Sequence, residues 1–514
     1  MKLALVLAYV LVLLGCGFIS MKKTRTVNDF FLGGRGVGPW LSAFAYGTTY
    51  FSAVLFIGYA GKVGWGFGLS ALWVTVGNSI IGCYLAWRLL AKRTRDMTLR
   101  LNTMTMPEFL EKRYDSPNFK IFAALLIFIF LVPYTASVYM GLSYLFETVF
   151  HIPYNYALIA IALLTAVYLT MGGYFAVALT DLVQGIIMIF GVGMLLYYIT
   201  GAPEVGGFAE AVSRLAAIDP KLAGPVGPPG IIPLASLVIL TSLGTWGLPQ
   251  MVQKFYAIKD EKSINAATWV STFFAIIIAF GAYFTGAVSR LFNSVLMEKG
   301  VNPALDPKYF DMVIPTILTY ALPEIAVTII LLLVLSASMS TLASLVLVSS
   351  SAISIDLVQG RLAPNISKRT AVLLMRVLCV VFVAVSLGIA IMKPQIILTL
   401  MALSWGTVAG AFLAPYLYGL FWKGVTKAGA WAGALTGFAV SLGVSAYFKF
   451  DPQMLNKFSP MIGSAAMLIP LVVVPAISLV SEKFPEPHLL KVFGTKAVEE
   501  YDLTFAKGTE ELVN

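Results

Sequence analysis

Apolar residues in this chain arrive in long runs separated by short charged or Pro/Gly-rich breaks, not in the two-residue alternation of a half-buried strand. Most runs approach or exceed the ~18 residues needed to cross a ~30 Å hydrocarbon core. Thirteen such spans can be read, with cores at 3–20, 39–61, 66–87, 121–146, 154–171, 182–200, 231–252, 266–289, 325–350, 371–392, 396–421, 428–448 and 461–480. The pattern predicts an all-α polytopic membrane protein of about 13 transmembrane helices. No polar stretch between spans is long enough to bury a core of its own, so residues 1–480 are expected to form one membrane domain and 481–514 a short tail.

Composition sharpens this picture. Charged residues are 12% and hydrophobic residues 59% of the 514, with mean hydropathy +0.86, which excludes disorder and an ordinary soluble enzyme. The formal net charge of +10 would suggest nucleic acid in a soluble protein; here its distribution has a topological reading. Loops on one side of the spans carry 24 Lys and Arg, those on the other side 10, and Arg376 lies inside a span. The basic side includes Lys22, Lys23, Arg25, the segment 88–120, Lys254, Lys259 and Lys262. By the positive-inside rule the N-terminus is outside and the tail cytoplasmic, in the cell membrane. The run Leu13-Leu14-Gly15-Cys16 looks like a lipoprotein cleavage site, but the basic cluster that follows belongs inside and predicts a retained first helix. Cys16, Cys83 and Cys379 have no paired or metal-type spacing and read as packing residues.

Catalysis is not expected. His151 and His488 sit in a loop and the tail, so no histidine triad or zinc motif can be assembled, and no Gly-Lys-Ser/Thr phosphate loop is present. What remains is polarity and broken helix at membrane depth. Backbone groups freed there must be satisfied by protein or a water-filled cavity, which makes an interrupted span a marker of a binding site. The second span carries Gly47-Thr48-Thr49-Tyr50-Phe51-Ser52-Ala53, and the seventh carries Ser242-Leu243-Gly244-Thr245-Trp246-Gly247-Leu248-Pro249-Gln250. They are five spans apart, as expected if spans 2–6 and 7–11 are inverted repeats.

In the ninth span, Ala337, Ser340, Thr341 and Ser344 share one helical face, so hydroxyls and a carbonyl can point at one spot. Neutral oxygens suit a hard monovalent cation; such hydroxyls also serve simply to bond the preceding turn or to pack helices. Asp181, opening the sixth span, is either an intramembrane functional acid or a cap for free helix amides.

Taken together, the chain resembles the sodium/solute symporter family. The motifs are Phe56-Ile57-Gly58, Pro107-Glu108-Phe109-Leu110 with Arg113-Tyr114, and Gly172-Gly173 through Thr180-Asp181 and Gln184. Pro249-Gln250 with Phe255, the 338–341 stretch, and Trp422-Lys423 with Gly429-Ala430 follow in family order. The resemblance implies LeuT-like inverted five-helix repeats, at about 39–200 and 231–421, with an extra N-terminal helix. It implies a sodium site made of the carbonyls of Thr48, Phe51 and Ala337 and the hydroxyls of Ser340 and Thr341. A second sodium would use Asp181 and Ser344, although Ala343 removes a hydroxyl that the family pattern places there. Substrate positions would be Tyr50, Ser52, Ser242, Thr245, Trp246, Pro249, Tyr134, Ser137 and Trp405.

The resemblance thus implies a sodium-coupled importer of a small organic solute. Leu55 and Ser242 stand where sugar-type members carry large amides, which argues against a sugar. The proline-type pattern is incomplete as well, since Thr241 and Thr245 replace aromatic residues and Tyr50 replaces an acid, and the expected cargo is an amino acid, monocarboxylate or vitamin carboxylate such as proline or pantothenate. Three rivals are a transporter-fold sensor, disfavoured by the short tail; a channel; and a proton-coupled carrier using Asp181.

Overall fold

The computed structural model describes residues 2–21 and 31–494. The basic cluster Lys22, Lys23 and Arg25, and the tail beyond 494, lie outside the described residues. Among the described residues every regular element is helical, and the one β-type contact is an isolated bridge between Val37 and Ile258.

The expected spans fall on helix, but they do not separate into thirteen membrane-length rods. Among the described residues nine helices are long and apolar enough to cross a membrane, and a pair bent by 46° makes up to a tenth. The first span is α1 (Lys2–Met21). The second is broken into α2 (Pro39–Tyr50) and α3 (Val54–Gly64), which continues through a bend into α4 (Asn78–Ala91). At that bend Gly68 has φ 58°, and a Cβ there would collide with the Leu222 carbonyl, so glycine is required.

The fourth span is α5 (Pro117–Phe150), and the next two fall within α6 (Tyr154–Gly201), as the apolar stretches Tyr154–Val167 and Ala176–Gly201. Its two halves nevertheless pack against one helix: Thr165 Oγ1 meets Met339 Sδ at 3.8 Å, and Gly191 abuts Leu333. A straight helix would hold Thr165 and Gly191 roughly 39 Å apart, whereas Leu333 and Met339 are separated by about 9 Å. The chain therefore reverses between them, as two spans require.

The seventh span is the bent pair α7 (Ile231–Gly247) and α8 (Pro249–Ala257), broken at Leu248, whose backbone is extended ahead of Pro249. The remaining long helices are α9 (Glu261–Ala287), α10 (Glu324–Ser351), α11 (Lys368–Met392), α12 (Ile397–Phe421), α13 (Lys427–Tyr447) and α14 (Pro452–Val480). Burial separates them into centre and rim: 94% of the apolar window of α12 and 83% of that containing α10 are buried, against 28% for α11. A helix apolar on all sides belongs in the core, and α10 and α12 are the posts around which the two broken spans are arranged.

Small residues allow this closeness, since helices in a membrane associate by packing without a hydrophobic drive between them. A Cβ on Gly437 would enter the Gly410 carbonyl, and one on Gly64 would enter the backbone of Gly286. Loops on the basic side meet at one end of the bundle. There Lys92 pairs with Glu261 at 2.7 Å, Arg95 Nε donates to the Ile258 carbonyl, and Lys427 reaches the Asp115 carbonyl at 2.9 Å. The short helix α15 (Glu486–Phe493) covers that end through His488 and the Arg113 carbonyl.

Candidate functional site

The break in the second span is where the site begins. α2 stops at Tyr50, Phe51 is extended (φ −113°, ψ 126°), and helical geometry resumes at Ala53. The freed backbone is taken up by the adjacent α10, where the Ser338 hydroxyl accepts from the Ala53 amide at 2.9 Å while donating to Val334 within its own helix.

Two residues further along α10, Ser340 Oγ donates to Thr48 Oγ1 at 2.8 Å, and Thr48 Oγ1 donates on to the Phe44 carbonyl. Thr341 Oγ1 lies 3.1 Å from the carbonyls of both Thr49 and Ala337 and 3.4 Å from that of Thr48. A hydroxyl has one proton, so it can satisfy one of three carbonyls at a time. The cluster is therefore rich in acceptors and poor in donors, with Thr48, Ser340 and Thr341 all buried. Of the expected sodium ligands, Thr48, Ala337, Ser340 and Thr341 converge here together with the Thr49 carbonyl, and Phe51, at the break, also lines the neighbouring cavity.

A second polar knot adjoins the first. Asp181, in the middle of α6, is fully buried and neither carboxylate oxygen is hydrogen-bonded. The hydroxyls of Ser340 and Thr48 border it, and the positive charge acting on it is Lys254. Lys254 is also fully buried, its ammonium donating to Ser344 Oγ at 3.0 Å and lying 4.9 Å from the Tyr174 ring centroid. Ser344 Oγ also meets Thr49 Oγ1 at 2.9 Å. Counted in sequence as a loop cation, Lys254 instead occupies the interior beside the acid. Asp181 is likewise no helix-end cap, since it lies more than one turn inside the helical stretch Ala176–Gly201.

The adjoining cavity is lined by Tyr50, Phe51, Ser52, Tyr59, Asn78, Tyr134, Thr241, Tyr283, Met401 and Trp405 among others. Its wall is an aromatic box: Tyr50 stacks on Phe51 at 4.5 Å and faces Trp405 at 6.3 Å, and Tyr134 meets Trp405 edge-on at 5.7 Å. The Trp405 indole N–H is buried without a partner. None of the lining residues carries a formal charge.

Tyr50, Ser52, Tyr134 and Trp405 are thus brought together as expected substrate positions, and the others are placed elsewhere. Ser242 Oγ faces Asn78 Oδ1 at 3.3 Å, Thr245 Oγ1 donates within α7 and toward the Gly82 carbonyl, and Trp246 Nε1 donates to Ile81. These three bind α7 to α4. Ser137 Oγ bonds its own helix at Tyr134, and Pro249 lines a different cavity. From α7 it is Thr241 that reaches the box, its carbonyl accepting from Tyr50 Oη at 2.7 Å. Asn78, Tyr59, Tyr283 and Met401 carried no sequence signal beyond being polar or large within a span.

Comparison with known proteins agrees with this architecture. A Na+-coupled sialic acid symporter, solved in a substrate-bound outward-open state, superposes with a TM-score of 0.74 at 18% identity, over 94% of this chain and 98% of that one. The fold is accordingly LeuT-like. In sequence, the chain is 31% identical over 437 residues to the osmoregulated proline transporter OpuE of Bacillus subtilis, covering 84% of this chain and 86% of that protein. It is 30% identical over 495 residues to the sodium/proline symporter of Haemophilus influenzae, covering 94% and 95% respectively. The sodium:solute symporter family model matches residues 30–437. A broken helix facing a hydroxyl-bearing one, in a chain matched over most of its length by that model, places this protein in the sodium:solute symporter family, as a sodium-coupled importer of a small solute.

Proposed function

We propose that the imported solute is a zwitterionic amino acid of about proline's size. The observation that carries this reading is the uncharged aromatic box with its free indole donor. A bare carboxylate would enter a cavity without a lining cation, at a cost of several kcal/mol. A zwitterion supplies both signs itself: its ammonium suits the faces of Tyr50, Tyr134 and Trp405, and its carboxylate the Trp405 N–H. The names of the proline-transporting relatives point the same way.

In this reading sodium is held by the carbonyls of Thr48, Phe51 and Ala337 and the hydroxyls of Ser340 and Thr341. The ligand set joins α2 to α10, and the residues that follow directly, Tyr50 to Ser52, line the solute cavity. Sodium therefore orders the stretch that the solute needs, and each ligand strengthens binding of the other by the same factor. A potential of 100 mV supplies about 2.3 kcal/mol per charge, so one sodium drives tens-fold accumulation. The basic loops face the cytoplasm, residues 1–480 act as one transport domain, and the repeats run from about 39 to 200 and from about 231 to 421.

The test is uptake into proteoliposomes. Proline should accumulate only under an inward sodium gradient, with choline unable to replace sodium at fixed pH. Accumulation of pantothenate or a short monocarboxylate in place of proline would overturn the choice of solute, and accumulation driven by protons alone would overturn the sodium ligands.

A further inference from the structure

Below the cage, toward the basic end of the bundle, a second cavity lies between α8 and the end of α10. Its wall includes Thr105, Gln253, Tyr256, Ser351 and Asp356. Asp356 is fully buried; Oδ1 accepts from Thr105 Oγ1 at 2.6 Å, and Oδ2 has no partner. Tyr256 Oη and Gln253 Oε1 are also buried and unpartnered, while the Gln253 amide N–H is spent on the Phe31 carbonyl at 2.8 Å. Three oxygens without partners, one of them on a carboxylate, thus belong to residues that line one cavity. Buried polar atoms are nearly always satisfied, so such a group requires an occupant.

The neighbouring charges favour a cation. Glu108 and Glu111 stand close by, and Lys120 is engaged by both, at 3.8 and 3.1 Å. Arg35, which faces Tyr256 and Glu108, is spent on Thr98 Oγ1 and the Thr103 carbonyl. Among the described residues no cation forms an ion pair with Asp356, and Lys120, whose charge acts on it, is held by the two glutamates. Along α10, Thr341, Ser344, Val348 and Ala352 follow one another on one face, so this cavity lies about 16 Å from the cage. Lys254 stands between the two, its ammonium on Ser344.

We propose that this cavity is a second, weaker station for a monovalent alkali cation, held by Asp356, Tyr256 and Gln253, which receives sodium leaving the cage past Lys254. An ion displaced from the cage must pass a fixed positive charge, and an acceptor-lined, acidic space on the far side lowers that barrier. The role as an exit station rests on the sodium reading above; the binding site itself does not.

The experiment is equilibrium binding of 22Na+ alone to the purified full-length protein in lipid nanodiscs. The wild type should bind in two components. D356N should weaken the looser component by about tenfold or more, as expected when a charged acceptor becomes neutral, and leave the tighter one intact. Y256F, which removes a single oxygen and keeps the ring, should weaken the same component and decides the matter if D356N folds poorly. S340A should remove the tighter component alone. Isotherms of D356N and Y256F that both superimpose on the wild type would overturn the proposal. A tight component that survives S340A would instead overturn the cage assignment and leave the Asp356 result standing.

Discussion

The Lys254 ammonium donates to Ser344 Oγ at 3.0 Å in the interior of the bundle, one helical turn from Thr341. A cation therefore already sits where the family resemblance would put a ligand of a second sodium, and Asp181 is close enough to feel it. Both charged groups are fully buried, which is affordable only if each compensates the other.

One consequence is testable by neutralising the two members of the pair in turn. K254M leaves the Asp181 carboxylate without a counter-charge, and removing one member of a buried pair costs roughly 3–5 kcal/mol. Uptake should fall by more than tenfold and the unfolding temperature should drop. D181N in the same background should restore much of the lost thermal stability, as a double-mutant cycle would record. A K254M protein with wild-type melting and uptake would show that the ammonium carries no compensating role.

With the lysine in place, transport should move one positive charge per zwitterionic solute. Reversal-potential measurements in proteoliposomes under graded sodium and solute gradients give this ratio directly. A value of two would mean that the space beside Asp181 and Ser344 takes sodium despite Lys254.

The cage predicts a distinct kinetic signature. T341A removes a hydroxyl within 3.1–3.4 Å of three carbonyls, and S340A removes the one that orients Thr48. Each should raise the sodium concentration for half-maximal uptake by at least about tenfold, corresponding to roughly 1.4 kcal/mol or more. T341S, which keeps the oxygen, should stay close to the wild type. Sodium-induced shifts of the melting temperature give an independent reading, because an ion that binds only the folded state stabilises by mass action.

Much of this arrangement was legible in the sequence, for reasons that differ from residue to residue. Spans declare themselves because lipid demands about 20 apolar residues, and both breaks were marked by residues that disturb helices, Gly47 to Ser52 and Gly247 to Pro249. Helical period put the hydroxyls at 340 and 341 on one face with Ala337 and Ser344, whereas their reading as sodium ligands came from the family resemblance. What the period cannot supply is the rotation of one helix against its neighbours. Ser242, Thr245 and Trp246 are polar or aromatic on a broken span, as a binding wall would be, yet they grip α4, and only Thr241 faces the solute cavity. Lys254 was hidden for a different reason. A lysine near the end of an apolar run counts as a loop cation until the bend at Leu248 is known to carry α8 back into the bundle.

The solute cavity and its α4 border should separate cleanly under mutation. W405F keeps an aromatic ring but loses the unpartnered N–H, so solute affinity should fall about tenfold or more, as expected for one lost hydrogen bond to a charged group. Sodium-induced stabilisation without solute should be unchanged. S242A, outside the cavity, should alter solute affinity by less than about threefold. The opposite order, with S242A the more damaging to affinity, would move the binding wall from Trp405 to α7.

Glycine contacts provide the last contrast, between positions where backbone proximity is obligatory and positions where it is not. Gly64, at the end of α3, lies against Gly286 of α9, and a Cβ at 64 would enter the backbone of its neighbour. Gly286 in turn abuts the Ala60 carbonyl. Neither side can yield by turning a side chain, so G64A must push α3 away from α9, disturbing the half-span that carries Leu55 and Tyr59 in the solute cavity. The expected result is a destabilisation of about 1–3 kcal/mol, as overpacking costs, together with weakened uptake. Gly443 in α13 has nothing within 4 Å of its Cβ position and lies in a helix interior, where alanine is favoured by about 1 kcal/mol. G443A should therefore melt at or above the wild-type temperature with uptake intact. Thermal unfolding of the two variants in the same lipid should give shifts of opposite sign, and equal shifts would mean that α3 and α9 do not meet through Gly64 and Gly286.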